Sequence, residues 1–205
     1  MCEADERCGL QWERRRGMPF GRRSACSAVK WLLLASLLFP WSGGAPPRVA
    51  RADSGAGARL RTEVSGGNTF TSDGVWLHDA YAVHALELEW MVFGPISMGV
   101  RLLPMLAYFD REPIIGSGLG VTNRIYSARN GTGFYFGLAS CAVVHAARFE
   151  GNSSNINFLS SIDVGYQFSR SRYRAGIKLE HVSNANLAEH NRGWNGVSLL
   201  VGATL

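Results

Sequence analysis

His181 and Ser183 place a base and a hydroxyl two positions apart, near the end of the chain. On a β-strand such residues share a face and lie roughly 7 Å apart. A bend at the strand end would bring the imidazole to the hydroxyl. That pairing suits nucleophilic catalysis, because serine attacks a carbonyl only when an adjacent base takes its proton. The backbone N–H groups of the following turn, Asn184-Ala185-Asn186, could stabilise the oxyanion that the attack creates. His-x-Ser alone is a weak signal, and its surroundings must decide.

The strand that carries the pair has two faces. Tyr173, Ala175, Ile177 and Leu179 lie on one, and His181 and Ser183 continue it. Arg172, Arg174, Gly176, Lys178 and Glu180 lie on the other, so Glu180 points away from His181. A water-soluble sandwich would carry His and Ser on its polar side. Here they end the apolar side, which suits an apolar substrate.

Seven more stretches alternate in the same way, over 59–66, 81–93, 96–108, 118–127, 133–145, 157–168 and 194–205. Leu86, Leu88 and Trp90 oppose Glu87 and Glu89. Ile96, Met98, Val100, Leu102, Leu106 and Tyr108 oppose Ser97, Gly99 and Arg101. Phe158, Ile162, Val164 and Tyr166 oppose Ser161, Asp163 and Gln167. Two architectures fit: a soluble sandwich with its apolar face inside, or an outer-membrane barrel with its apolar face outside. The charges at Glu87, Glu89, Arg101, Asp163, Arg174, Lys178 and Glu180 alternate with Gly and Ala, and could pair inside a narrow lumen. Charge of this density also suits the wet face of a soluble sheet, and an N-terminal signal peptide tips the balance: the expected fold is all-β, an eight-stranded antiparallel outer-membrane β-barrel over residues 53–205.

Residues 1–52 read as an N-terminal extension and signal peptide. Arg22, Arg23 and Lys30 precede an apolar run from Trp31 to Phe39, too short for a membrane helix. Ala50-Arg51-Ala52 offers a cleavage site, Ala45 a second, and Met18 an alternative start. The chain's +5 charge belongs to this region, because from Asp53 onward 12 basic residues face 12 acidic ones. The basic excess thus gives no case for nucleic acid as a partner. Cys2, Cys8 and Cys26 also lie in the leader. Cys141 is left without a partner for an intrachain disulfide and reads as a packing residue. Asn130-Gly-Thr and Asn152-Ser-Ser match glycosylation acceptors but read as turns. His181 and His190 match no metal-ligand spacing; no metal and no organic cofactor is expected.

The segment from His181 to Asn195 resembles the C-terminal signature of the lipid A 3-O-deacylase (PagL) family, roughly His-x-Ser-Asn-Ala followed by Asn-x-Gly-x-Glu. His181, Ser183, Asn184, Ala185, Asn191 and Gly193 fall in register. A weaker likeness runs through residues 116–180 and includes Asn157-Phe158. The resemblance implies an eight-stranded outer-membrane barrel that removes the 3-hydroxyacyl chain ester-linked at the 3-position of lipid A, using a Ser-His-Glu triad facing the bilayer. Carried over, Ser183 is the nucleophile and His181 the general base. Phe158 lines the acyl groove, Asn184 lies beside the oxyanion hole, Asn186 belongs to the same turn, and Asn191 supports the loop. The departure is Asn195, where the family has Glu. Asn can orient an imidazole but cannot supply charge to imidazolium. Glu189, in the connecting loop, is an alternative acid.

The expected function is thus a lipid A deacylase in the bacterial outer membrane, with lipid A or lipopolysaccharide as its partner, as a monomer or homodimer. The alternatives are a structural or adhesive barrel that has lost its triad, and a soluble ligand-binding sandwich.

Overall fold

Alternation of apolar and polar residues makes each stretch a strand, and the charged inner face forces the strands to close. The computed structural model describes residues 57–70, 76–109 and 112–205. The extension, with its basic and apolar runs, both cleavage candidates, Met18 and three of the cysteines, lies outside the described residues.

Eight strands run in order: β1 (Arg59–Phe70), β2 (Trp76–Phe93), β3 (Ile96–Phe109), β4 (Pro113–Tyr126), β5 (Gly133–His145), β6 (Ile156–Gln167), β7 (Tyr173–Ser183) and β8 (Trp194–Thr204). Each pairs antiparallel with the next, and β1 pairs with β8, so the sheet closes into a barrel without an edge. The expected all-β, eight-stranded barrel is the fold. A two-faced sandwich is not, because one continuous sheet encloses the polar residues. Leu88, Val100, Leu119, Val121, Leu138, Ile162, Val164, Ile177, Leu179 and Val201 stand exposed on the outside. That inversion is stable only where the surroundings are themselves apolar.

Among the described residues, five cations and five carboxylates are buried within the wall: Arg61, Arg101, Arg124, Arg174 and Lys178 with Glu63, Glu87, Glu89, Asp163 and Glu180. An eight-stranded barrel has room for side chains but no open channel. Isolated charges there would be costly, so they pair. Glu63 joins Arg174 at 2.7 Å, Arg101 at 3.3 Å and Lys178. Glu87 joins Arg101 at 2.9 Å and Arg124. Arg61 Nε lies 2.6 Å from Glu89.

The interior is apolar where β7 ends and β8 begins. Tyr81, Leu103, Leu106, Tyr108, Val143, Phe149, Leu159, Val182 and Trp194 form one cluster. This corrects the expected faces of β3. Leu106 and Tyr108 do not share the outer face with Ile96; both are buried. The register shifts between Leu103 and Leu106, where three steps on β3 oppose two on β4, from Gly118 to Gly116. The extra residue is a bulge, and Pro104, which has no N–H for the ladder, falls within it. Past the bulge, the side chains turn inward to cap the charged lumen.

The connections 94–95, 127–132 and 168–172 close one end of the barrel, where β1 begins and β8 ends. The connections 146–155 and 184–193 lie at the other. His181 and Ser183 lie at this second end, under the two longest connections.

Candidate functional site on the outer face of the barrel

Register alone places the first pair of site residues. Val182 lies opposite Trp194 across β7 and β8, and His181 lies opposite Asn195. Val182 and Trp194 point inward, where Trp194 packs on Tyr81 at 4.9 Å and Tyr108 at 5.6 Å between ring centroids. Strand alternation then turns His181 and Asn195 outward. His181 Nδ1–H donates to Asn195 Oδ1 at 2.9 Å. This bond fixes the tautomer, leaving Nε2 as the ring's basic nitrogen.

Ser183 continues the outer face of β7. It lies opposite Phe158 of β6, and the side chains of both are half-buried. Among the described residues, the Ser183 hydroxyl has no hydrogen-bond partner. Gly193 completes this corner. A Cβ there would stand 2.3 Å from the Val182 carbonyl oxygen and 3.2 Å from Ser183 Cβ. Glycine therefore lets the chain pass directly beside the serine.

The loop after Ser183 is held by asparagines. The Asn184 N–H donates to Asn191 Oδ1 at 2.8 Å, and the Asn186 N–H to Asn184 Oδ1 at 2.9 Å. Asn191 Nδ2 donates to Asn186 Oδ1 at 2.9 Å. Asn184 Nδ2 reaches Asn152 Oδ1 at 3.1 Å and the His190 carbonyl at 2.9 Å, and Asn152 Nδ2 donates to Asn157 Oδ1 at 2.8 Å. Loop 146–155 is thereby clamped to loop 184–193. The clamp holds Ala185 and Asn186 at positive φ, 51° and 61°. Backbone accounting then separates the amides of this turn. Asn184, Asn186 and Leu187 spend theirs inside the loop, whereas among the described residues the Ala185 N–H has no partner.

The fold thus brings His181, Ser183, Asn195, Phe158, Asn184, Asn186 and Asn191 to one corner of the barrel. It does not bring Glu189 to the imidazole: Glu189 is exposed in the loop, and Nδ1 is already bonded to Asn195. Glu180 lies inside the barrel and accepts a hydrogen bond from Ser198. His190 contributes backbone contacts to Asn184 and Ser153. Among the described residues, no group of three His, Cys, Asp or Glu could hold a metal ion.

Sequence reasoning gave no part in the clamp to Asn152 or to Asn157, which it had named only within the weaker likeness. Asn152 looked like an ordinary turn residue, yet it is buried and bonded on both sides. A polar residue in a loop carries no sequence mark of burial. Ser140 and Ser160 were also missed. Both are exposed on outer faces, in cross-strand register with His181. The signal was available: each is a polar residue in the apolar phase of its strand.

A family model described as lipid A 3-O-deacylase (PagL) matches residues 54–204. No curated protein matches the chain. Among solved structures, Neisserial surface protein A aligns at 10% identity with a TM-score of 0.47, covering 74% of this chain and all of its own. The outer-membrane protein OprG from Pseudomonas aeruginosa aligns at 8% identity with a TM-score of 0.37, covering 74% of this chain and 97% of its own. The barrel architecture rests on the strand pairing described above and not on these two likenesses.

Proposed function

The chain belongs to the lipid A 3-O-deacylase (PagL) family, and on that premise we propose that it is a serine esterase of the bacterial outer membrane that hydrolyses the 3-O-linked hydroxyacyl chain of lipid A. The observation that carries this reading is the outward His181–Asn195 pair, which engages Nδ1 and leaves Nε2 outside that bond, with Ser183 two residues along the same face. A nucleophile on the outside of a barrel meets lipid and not a dissolved substrate. The site lies at the end with the longer connections. In outer-membrane barrels that is the extracellular end, beside the leaflet that holds lipopolysaccharide.

Ser183 Oγ attacks the ester carbonyl carbon as His181 Nε2 takes its proton. The oxygen of the tetrahedral intermediate is received by the Ala185 N–H, which the loop leaves available while the neighbouring amides are spent. Collapse breaks the bond to the sugar oxygen, and His181 returns the proton to it. The 3-hydroxyl of the glucosamine leaves and the acyl group stays on Ser183. Water, deprotonated by the same imidazole, then releases a free hydroxy fatty acid and restores the serine. Phe158 lies against the acyl chain, while Asn195 holds the ring throughout.

A second reading is favoured by one observation. Asn195 brings no charge where the family signature has a carboxylate, so the same barrel could be inactive. Purified, folded protein in detergent micelles with lipopolysaccharide separates the two. The esterase reading expects free 3-hydroxy fatty acid from the wild type and none from Ser183→Ala. Equal release from both, or release from neither, overturns it.

A further inference from the structure

We propose that Ser160 is a specificity residue whose hydroxyl receives the hydroxyl group on the substrate's acyl chain. The proposal rests on the deacylase reading and says which chains that reaction selects.

One row of the barrel wall runs through the catalytic pair. Reading across the strands, Val121 of β4 lies opposite Ser140 of β5, Ser140 opposite Ser160 of β6, Ser160 opposite His181 of β7, and His181 opposite Asn195 of β8. All four polar members of this row point outward. Two residues along each strand, toward the end where β8 finishes, stand Leu138, Ile162, Leu179 and Val197. Leu138, Ile162 and Leu179 are exposed to the apolar surroundings. On the other side of the row lie Ala142, Phe158 and Ser183, also in register. The serines therefore interrupt an apolar belt beside the catalytic pair. Among the described residues, neither hydroxyl has a hydrogen-bond partner. A hydroxyl facing hydrocarbon without a partner is unfavourable, and a ligand that offers a partner relieves this.

Geometry indicates which part of the substrate arrives there. Opposed residues on neighbouring strands have Cβ atoms about 5 Å apart, and diagonal ones about 7–8 Å. Ser160 is opposed to His181 and diagonal to Ser183. An acyl chain whose carbonyl carbon sits at Ser183 Oγ, and whose tail continues along the apolar belt past Ile162 and Leu179, crosses this row within its first few carbons. In a 3-hydroxyacyl chain the hydroxyl is two carbons beyond the carbonyl. It reaches the row at Ser160, with Ser140 behind it for a chain lying further toward β5. A plain acyl chain leaves both serines unpartnered.

The test compares two synthetic glucosamine esters of equal chain length, one 3-hydroxyacyl and one plain acyl, with folded protein in micelles. One net hydrogen bond corresponds to a preference for the hydroxyacyl ester of about fivefold in kcat/KM. Ser160→Ala brings that ratio toward one, and Ser160→Thr, which keeps a hydroxyl, retains it. Heat-modifiable gel mobility confirms that each variant is folded. Hydrolysis with the same ratio in wild type and Ser160→Ala overturns the role of Ser160 and leaves the deacylase reading standing. Binding of the two esters to Ser183→Ala supplies the readout if no turnover occurs. A hydroxyl preference in binding that disappears on adding Ser160→Ala supports the Ser160 role even when the deacylase reading has failed; equal binding overturns it. Turnover that survives Ser183→Ala but not Ser160→Ala would make Ser160 the nucleophile and overturn both.

Discussion

Replacing Asn195 by Asp changes one group at the site and little of its shape. The two side chains are isosteric, so the 2.9 Å contact from His181 Nδ1–H is kept. What changes is charge. During attack by Ser183 the imidazole becomes imidazolium, and a carboxylate at Asn195 would face it at a charge separation of about 4 Å. With an effective dielectric of about 20, that attraction amounts to ~4 kcal/mol, which is an upper bound. The ground state holds a neutral ring and gains far less, so most of the attraction lowers the barrier. A factor of ten in rate corresponds to about 1.4 kcal/mol, which sets a ceiling of about 10³ on the gain in kcat. Desolvation of the new carboxylate at the lipid-facing surface offsets part of it. The assay is single-turnover release of hydroxy fatty acid by folded Asn195→Asp and wild type in matched micelles. A gain in kcat of tenfold or more supports His181 as the general base. An unchanged rate from a folded Asn195→Asp barrel refutes the idea that imidazolium forms next to residue 195 in the rate-limiting step.

Three further perturbations test the scaffold. Gly193→Ala puts a Cβ 2.3 Å from the Val182 carbonyl; β8 must shift beside Ser183, and kcat should fall at least tenfold while heat-modifiable mobility persists. Glu63→Gln removes the charge that meets Arg174, Lys178 and Arg101 inside the barrel; a loss of about 3–5 kcal/mol in urea-unfolding stability is expected, and an unchanged midpoint would mean that the lumen is more hydrated than its packing indicates. Asn191→Ala frees the Asn184 amide and the Asn186 side chain; the loop loses its set and kcat should drop about tenfold with KM little changed, whereas an increase in KM alone would place Asn191 in substrate binding.

Much of the barrel was legible because strand alternation is a strict code. Glu87, Arg101, Asp163 and Lys178 had to share a face opposite the apolar residues; that this face is the inner one follows from closure of the sheet, which also pairs them. The outward placement of His181 and Ser183 could be read for the same reason. The faces of Leu106 and Tyr108 were not legible, since one extra residue at the Pro104 bulge reverses every side chain beyond it. The loop clamp was hidden for a different reason. Asn152, Asn157 and Asn184 meet through contacts between residues up to 32 positions apart, and loops carry no period from which to infer them. The partner of His181 could be inferred only from the family signature. The register of β7 with β8 is what sets Asn195, and not Glu189, against the ring.

The most direct measurement is mass spectrometry of lipid A from cells carrying the protein in the outer membrane as wild type, Ser183→Ala and Asn195→Glu, beside cells without it. The esterase reading predicts lipid A lighter by one hydroxyacyl chain with the wild type, unaltered lipid A with Ser183→Ala, and more complete deacylation with Asn195→Glu. Lipid A unaltered by all three folded variants, or deacylated as fully by Ser183→Ala as by the wild type, would contradict it.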